Sequence, residues 1–168
     1  GDRIALVAAS KELGDLVRMR NPKVELFLTS TWSRPDQVFR DTGAWKGKPI
    51  EAMAKDIRVA YDKAAAGAGA KVVPVGEAFN RAMAVGFADT NPLDGIDAAK
   101  INLWTNDSYH ASSYGYYLEA LMVFGRVTGR DPRSLGSGEC SGMELGFTGA
   151  QVTKLQQIAF DELAAAGP

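Results

Sequence analysis

The chain is poor in the residues that build covalently stapled or metal-held folds. Among its 168 residues there is one cysteine, Cys140, and one histidine, His110. A lone cysteine cannot close a disulfide within the chain, and no Cys/His cluster exists to hold a structural zinc ion. Charge of one sign is lacking too. The 19 Lys plus Arg stand against 20 Asp plus Glu, a formal net charge of −1. Phosphate backbones are gripped by a basic face, so this balance argues against nucleic acid as the main partner. No apolar run approaches the roughly 18 residues of a membrane-spanning helix, and no membrane span is expected. The opening Gly1-Asp2-Arg3 lacks the basic-then-apolar layout of a secretory leader, which leaves the compartment open. Two site motifs are missing as well. There is no Gly-x-Ser-x-Gly elbow, and Val75-Gly76-Glu77 is too sparse in glycine to cradle a phosphate after a strand.

What remains has the make-up of one soluble globular domain. Hydrophobic residues reach 46% and charged residues 23%, enough apolar surface to bury a real core. Residues 3–20 predict a helix that Asp2 caps, with Ile4, Val7, Ala8, Leu16 and Val17 near helical spacing; Asn21-Pro22 ends it. Val24 to Thr31 is rich in β-formers and nearly all apolar, as in a strand covered on both faces. The polar stretch Trp32 to Pro49 reads as a long surface loop. A second helix is expected over 50–66, with Met53, Ile57, Ala60 and Tyr61 on one face and glycines closing it. Lys71 to Gly76 reads as a second strand, and Glu77 to Val85 as a helix. Residues 88–109 read as irregular. An apolar helix follows from Ser112 to Gly129, then a glycine-rich connection over 132–146, then a last helix that Thr148 caps.

Strand, helix, strand, helix in this order implies parallel pairing and an α/β sandwich. Yet only two strands are evident, where a sheet of this kind has about five. Two strands pair too little to stand alone. The chain is therefore expected to be one part of a single domain whose other strands lie elsewhere.

The chemistry-bearing residues are Asp107 and His110, in the run Asn106-Asp107-Ser108-Tyr109-His110. A neutral imidazole is an effective general base near neutral pH. It works best when a carboxylate accepts its other N–H, fixing the tautomer and stabilising the imidazolium. A separation of three residues lets a short Asp side chain turn back to the ring. Spacing by itself is equally the mark of a loop histidine beside a capping aspartate.

The longer run Asn106 to Ala120, with Ser112, Gly115 and the apolar helix after them, resembles the last conserved block of SGNH hydrolases. In that family an Asp-x-x-His pair sits in a loop ahead of such a helix, and Phe124, Thr128-Gly129 and Asp131-Pro132 continue in the manner of its esterases. The resemblance implies a three-layer α/β/α flavodoxin-like fold, with 1–168 as its C-terminal portion and the two strands as its fourth and fifth. It implies a serine esterase working through an acyl-enzyme, with His110 as general base, Asp107 orienting it, and no metal or cofactor. The substrate would be a small-molecule or carbohydrate ester. The family's nucleophile stands in a Gly-Asp-Ser motif after the first strand; here Arg3 follows Gly1-Asp2 and no strand precedes them. The serine and the oxyanion-hole glycine and asparagine are thus expected on an associated N-terminal chain or segment. A degenerate protein that kept the fold without the activity is the other explanation.

Trp32, just past the first strand, stands at the edge where open α/β sheets bind ligands. With Trp45 and Trp104 it is a candidate substrate-binding residue, or else packing for the loop. Tyr114, Tyr116 and Tyr117 read as helix-face packing. Two further functions compete: a non-catalytic SGNH-like module that binds carbohydrate or a protein, and a flavodoxin-like domain in which the Asp-x-x-His pair is coincidental.

Overall fold

A computed structural model of the chain describes residues 2–167. Helix α1 (Arg3–Arg20) starts where the Asp2 carboxylate accepts the free N–H groups of Ile4 and Ala5, both at 3.0 Å. It leads through a turn to strand β1 (Phe27–Ser30), which pairs in parallel with β2 (Lys71–Pro74), Leu28 opposite Val72. Both strands are shorter than the sequence suggests. Pro74 has no N–H to continue the ladder, and the chain turns at once into α4 (Val75–Ala84). Gly76 makes that turn possible: a Cβ there would stand 2.4 Å from the Thr31 carbonyl oxygen. Val75 and Gly76 thus belong to the helix, where the sequence suggests strand.

Between the strands lie α2 (Pro35–Phe39) and α3 (Ile50–Ala68). The stretch from Trp32 to Pro49 is therefore not a plain surface loop. Its short helix buries Val38 and Pro35 and begins at a proline, which suits a first helical turn. Helix α3 closes on Gly69 in the left-handed conformation, φ 58°. The segment before α5 (Ser113–Thr128) holds two single-residue bridges, Ala88 to Ile101 and Trp104 to Ala111. The connection expected to be glycine-rich coil contains a 3₁₀ turn (Pro132–Leu135) and α6 (Cys140–Glu144), capped by the Asp131 and Glu139 carboxylates. Helix α7 (Gly149–Ala166) begins with a reciprocal box between Thr148 and Gln151.

The fold is mixed α/β, mostly helical, around a two-stranded parallel sheet. Helix α1 packs on α3, and α3 on both strands; α5 and α7 pack on each other and reach β2. The core of Phe79, Leu103, Trp104, Leu118, Met122 and Leu155 fills the space between α4, α5, α7 and the segment that carries the site. The backbone groups of Leu28 serve β2, so those of Phe27 and Thr29 point the other way. Among the described residues no strand pairs with that outer edge. Leu13, Leu16 and Val17 of α1 are exposed nearby in sequence order. No described helix is long and apolar enough to cross a membrane.

Candidate functional site

Asp107 and His110 sit at the tip of a tight hairpin that the sequence does not announce. Its stem is Trp104 bridged to Ala111, with the Thr105 N–H donating to His110 O and the Ser112 N–H to Leu103 O, both at 2.9 Å. The side chains of Trp104 and Leu103 are buried, so the stem is anchored in the core. At the tip the Ser108 N–H closes on Thr105 O at 3.0 Å, and Ser108 takes the left-handed conformation, φ 58°. Non-glycine residues adopt that region rarely, most often in turns.

The Asp107 carboxylate does two jobs with its two oxygens. Oδ1 accepts the N–H groups of Tyr109 and His110, each at 2.9 Å, and the Thr105 hydroxyl at 2.6 Å. That curls the tip and brings the next imidazole alongside, so Oδ2 meets His110 Nδ1 at 2.6 Å. Asp107 caps no helix, that place at α5 being taken by Ser112; one of its oxygens closes the turn and the other meets the imidazole. The Thr105 hydroxyl bond, the imidazole and then the two backbone N–H groups hold its carboxyl well below the usual carboxylate range. It is ionised at neutral pH and suited to accept from Nδ1–H. Nε2 of His110 has no hydrogen-bond partner among the described residues, and the ring is more than half exposed.

His110 lines a cavity of about 680 Å³ together with Tyr109 and residues of five other segments. The end of β1 contributes Thr31, Trp32 and Arg34; α3 contributes Met53, Ile57 and Tyr61; α5 contributes Tyr116; and Trp45 closes one side. Asp2, Arg3 and Asp56 lie at its rim, with Arg3 paired to Asp56. Burial pushes the Tyr61 phenol up, so this wall presents a neutral hydroxyl. No serine lines the cavity among the described residues, nor do three His, Cys, Asp or Glu side chains converge as a metal site.

Of the sequence-predicted residues, Asp107, His110 and Trp32 are brought together. Trp45 also faces the cavity, but Trp104 does not: it is 1% exposed and its indole N–H donates to Ser33 O at 2.9 Å, a packing role. Tyr117 is buried and Tyr114 stacks on Phe147, as helix-face packing predicts, whereas Tyr116 turns to the cavity. Sequence reasoning misses Arg34 and Tyr116 as site residues. Tyr61 had a signal in its place on the apolar face of α3; Arg34 had none.

Compared with protein-family models, curated proteins and solved structures, the chain gives no match.

Proposed function

We propose that this chain is the Asp–His portion of an SGNH-type serine esterase, with the serine supplied by a segment outside residues 1–168. One observation carries the reading: an ionised Asp107 bonded to His110 Nδ1, with Nε2 unpartnered among the described residues beside an aromatic-walled cavity. A serine hydroxyl brought to Nε2 would lose its proton there as Oγ attacks an ester carbonyl. His110 would return that proton to the departing alcohol oxygen, leaving an acyl-enzyme. Water, deprotonated by the same nitrogen, would then release the acid and restore the serine. Asp107 stabilises the imidazolium formed in each half. The oxyanion donors, worth about 3 kcal/mol each, would come with the serine segment. The reaction needs no cofactor, and a small or carbohydrate ester suits the cavity's aromatic walls and rim charges.

The sheet supports a missing segment on separate grounds. Parallel connections in one sheet are right-handed in about 98% of cases. Helix α3 links β1 to β2, and α1 packs on α3, with Gly14 against Leu26 and Ala68, so the two helices share a face. A strand feeding α1 with the same hand therefore falls on the free edge of β1. Its end would arrive at Asp2 and Arg3, which border the cavity. Strands added there would extend the two observed into the three-layer α/β/α fold.

The test is ester turnover of the native preparation, with fluorophosphonate labelling read by intact mass. His110→Ala should lower kcat by on the order of 10⁴ to 10⁶ while the fold stays intact. Wild-type turnover in that variant overturns the proposal. A second reading, a binding module for carbohydrate, draws on the absence of a serine from the described lining. It predicts no adduct on any chain and saturable glycan binding.

A further inference from the structure

The hydrogen bonds within the hairpin tip fix Asp107 against His110 but do not fix the pair against the sheet. That second hold comes from the exit of β1. The Trp32 indole N–H donates to the Tyr109 carbonyl at 3.1 Å, across 77 residues of sequence. The Arg34 guanidinium lies over the Tyr109 ring, 4.2 Å from its centroid. Arg34 is held in turn by Asp36, whose carboxylate accepts two of its N–H groups at 3.1 and 2.7 Å. The Tyr109 ring then meets the His110 imidazole edge-on, with centroids 4.6 Å apart. Behind this arrangement the Trp32 ring stacks on Phe79 at 5.0 Å, with planes 7° apart, and Phe79 is buried. Trp32 is thus seated on the core through one face while its N–H reaches the catalytic hairpin.

We propose that Trp32 and Arg34 are positioning residues for His110 and act through Tyr109, Trp32 on its backbone and Arg34 on its ring. The stem of the hairpin is pinned by the Trp104–Ala111 bridge and by the bond from Trp104 to Ser33 O. Without the contacts at Tyr109 the exposed tip would pivot on that stem, carrying the dyad with it. A misplacement of about 1 Å at a reacting group costs on the order of 100-fold in rate. The kinetic consequence rests on the esterase reading; the structural hold does not. It also separates two roles for Trp32, since a residue that walls the substrate pocket affects binding, whereas one that aims the base affects turnover.

Trp32→Phe keeps a ring for the Phe79 stack and removes the N–H together with part of the indole. Arg34→Met keeps the side-chain length and removes the charge, at a site where misfolding is not a concern because Arg34 is only half-buried. In the native preparation, hydrolysis of p-nitrophenyl acetate is measured alongside hydrogen exchange of the Thr105 amide, whose bond to His110 O is the last of the stem and joins it to the tip. Each variant should lower kcat roughly 10- to 100-fold with KM within about twofold, and should speed Thr105 exchange. A raised KM with unchanged kcat would make Trp32 a pocket wall and overturn the proposal, as would wild-type kcat with wild-type exchange. If the unaltered preparation hydrolyses no ester, the esterase reading fails on its own, and the exchange measurement decides the hold: faster exchange sustains it and unchanged exchange overturns it.

Discussion

Gly115 ties the fold of the site to its motif, and replacing it by alanine gives a sharp test of that link. It lies in the first turn of α5, and its N–H donates to the capping Ser112 hydroxyl. A Cβ added there would stand 2.5 Å from the Leu103 carbonyl oxygen, 2.8 Å from Phe79 Cζ and 2.9 Å from Ala111 Cβ. None of the three can yield cheaply. The Leu103 oxygen already accepts from the Ser112 N–H in the hairpin stem, and Leu103, Phe79 and Ala111 are all buried. Relief requires α5 to lift away from the stem. Overpacking of this kind costs about 1–3 kcal/mol, and alanine recovers up to about 1 kcal/mol of helix propensity. The net expectation for Gly115→Ala is a loss of about 1–2 kcal/mol. At roughly 2–4 °C per kcal/mol for a chain of this size, Tm should fall by roughly 2–8 °C. Gly138 is the control: nothing lies within 4 Å of its added Cβ and its φ is not left-handed. Gly138→Ala should be neutral, or more stable by about 0.4–1 kcal/mol through the unfolded chain. Thermal and urea unfolding followed by circular dichroism measure both. Equal stability of Gly115→Ala and the parent chain would refute the claim that this close approach positions the hairpin.

Two further outcomes follow from the same loop. Ser112→Ala removes both the acceptor for the Gly115 N–H, at 3.3 Å, and the donor to Asn102 O, at 2.6 Å; urea unfolding should register a loss of about 1–2 kcal/mol, and an unchanged midpoint would refute the cap. Hydrogen bonds depress the Asp107 carboxyl in the folded chain, so its contribution to stability is present above the unfolded value of about 3.9 and is lost as pH falls through the lower folded value. A carboxyl ¹³C titration should therefore place the Asp107 protonation step below pH about 3.9; a step at or above that value would refute the network around Oδ1.

The parts of this fold that were legible in the sequence are those whose signals are local. Asp2, Ser112 and Thr148 cap helices where their side chains reach the next free N–H groups, and Gly69 and Gly129 end helices in the left-handed conformation. The pairing of Asp107 with His110 is local as well, although the spacing alone left it open and the curl of the hairpin tip about Oδ1 makes the contact. The strand ends were not legible, since whether Val75 continues β2 or starts α4 depends on Gly76 meeting Thr31 from another strand. Helix α2 is too short to carry a periodicity, and the burial of Val38 that stabilises it comes from elsewhere in the fold. The hairpin over 103–112 has no alternation of apolar and polar residues. It is held by the Asn102 and Asp107 side chains and by the anchorage of Trp104.

The walls of the cavity were illegible for a further reason: Arg34, Tyr61 and Tyr116 come from three segments that only the packing of α3 and α5 about the strands brings together. Among the described residues the outer edge of β1 has no paired strand and His110 Nε2 has no hydrogen-bond partner. The free edge of β1 runs toward Thr31, which borders the cavity, and α1 begins at Asp2 and Arg3 on the rim of that cavity. On the proposed reading a parallel strand laid along this edge would bring its C-terminal end to the side of the sheet where Asp2, Arg3 and Thr31 line the cavity. Parallel sheets deliver their reactive groups from that end of their strands. That strand would satisfy the backbone groups of Phe27 and Thr29, while the serine would follow the first strand, one place farther along the same sheet, so extension of the sheet and assembly of the site would go together.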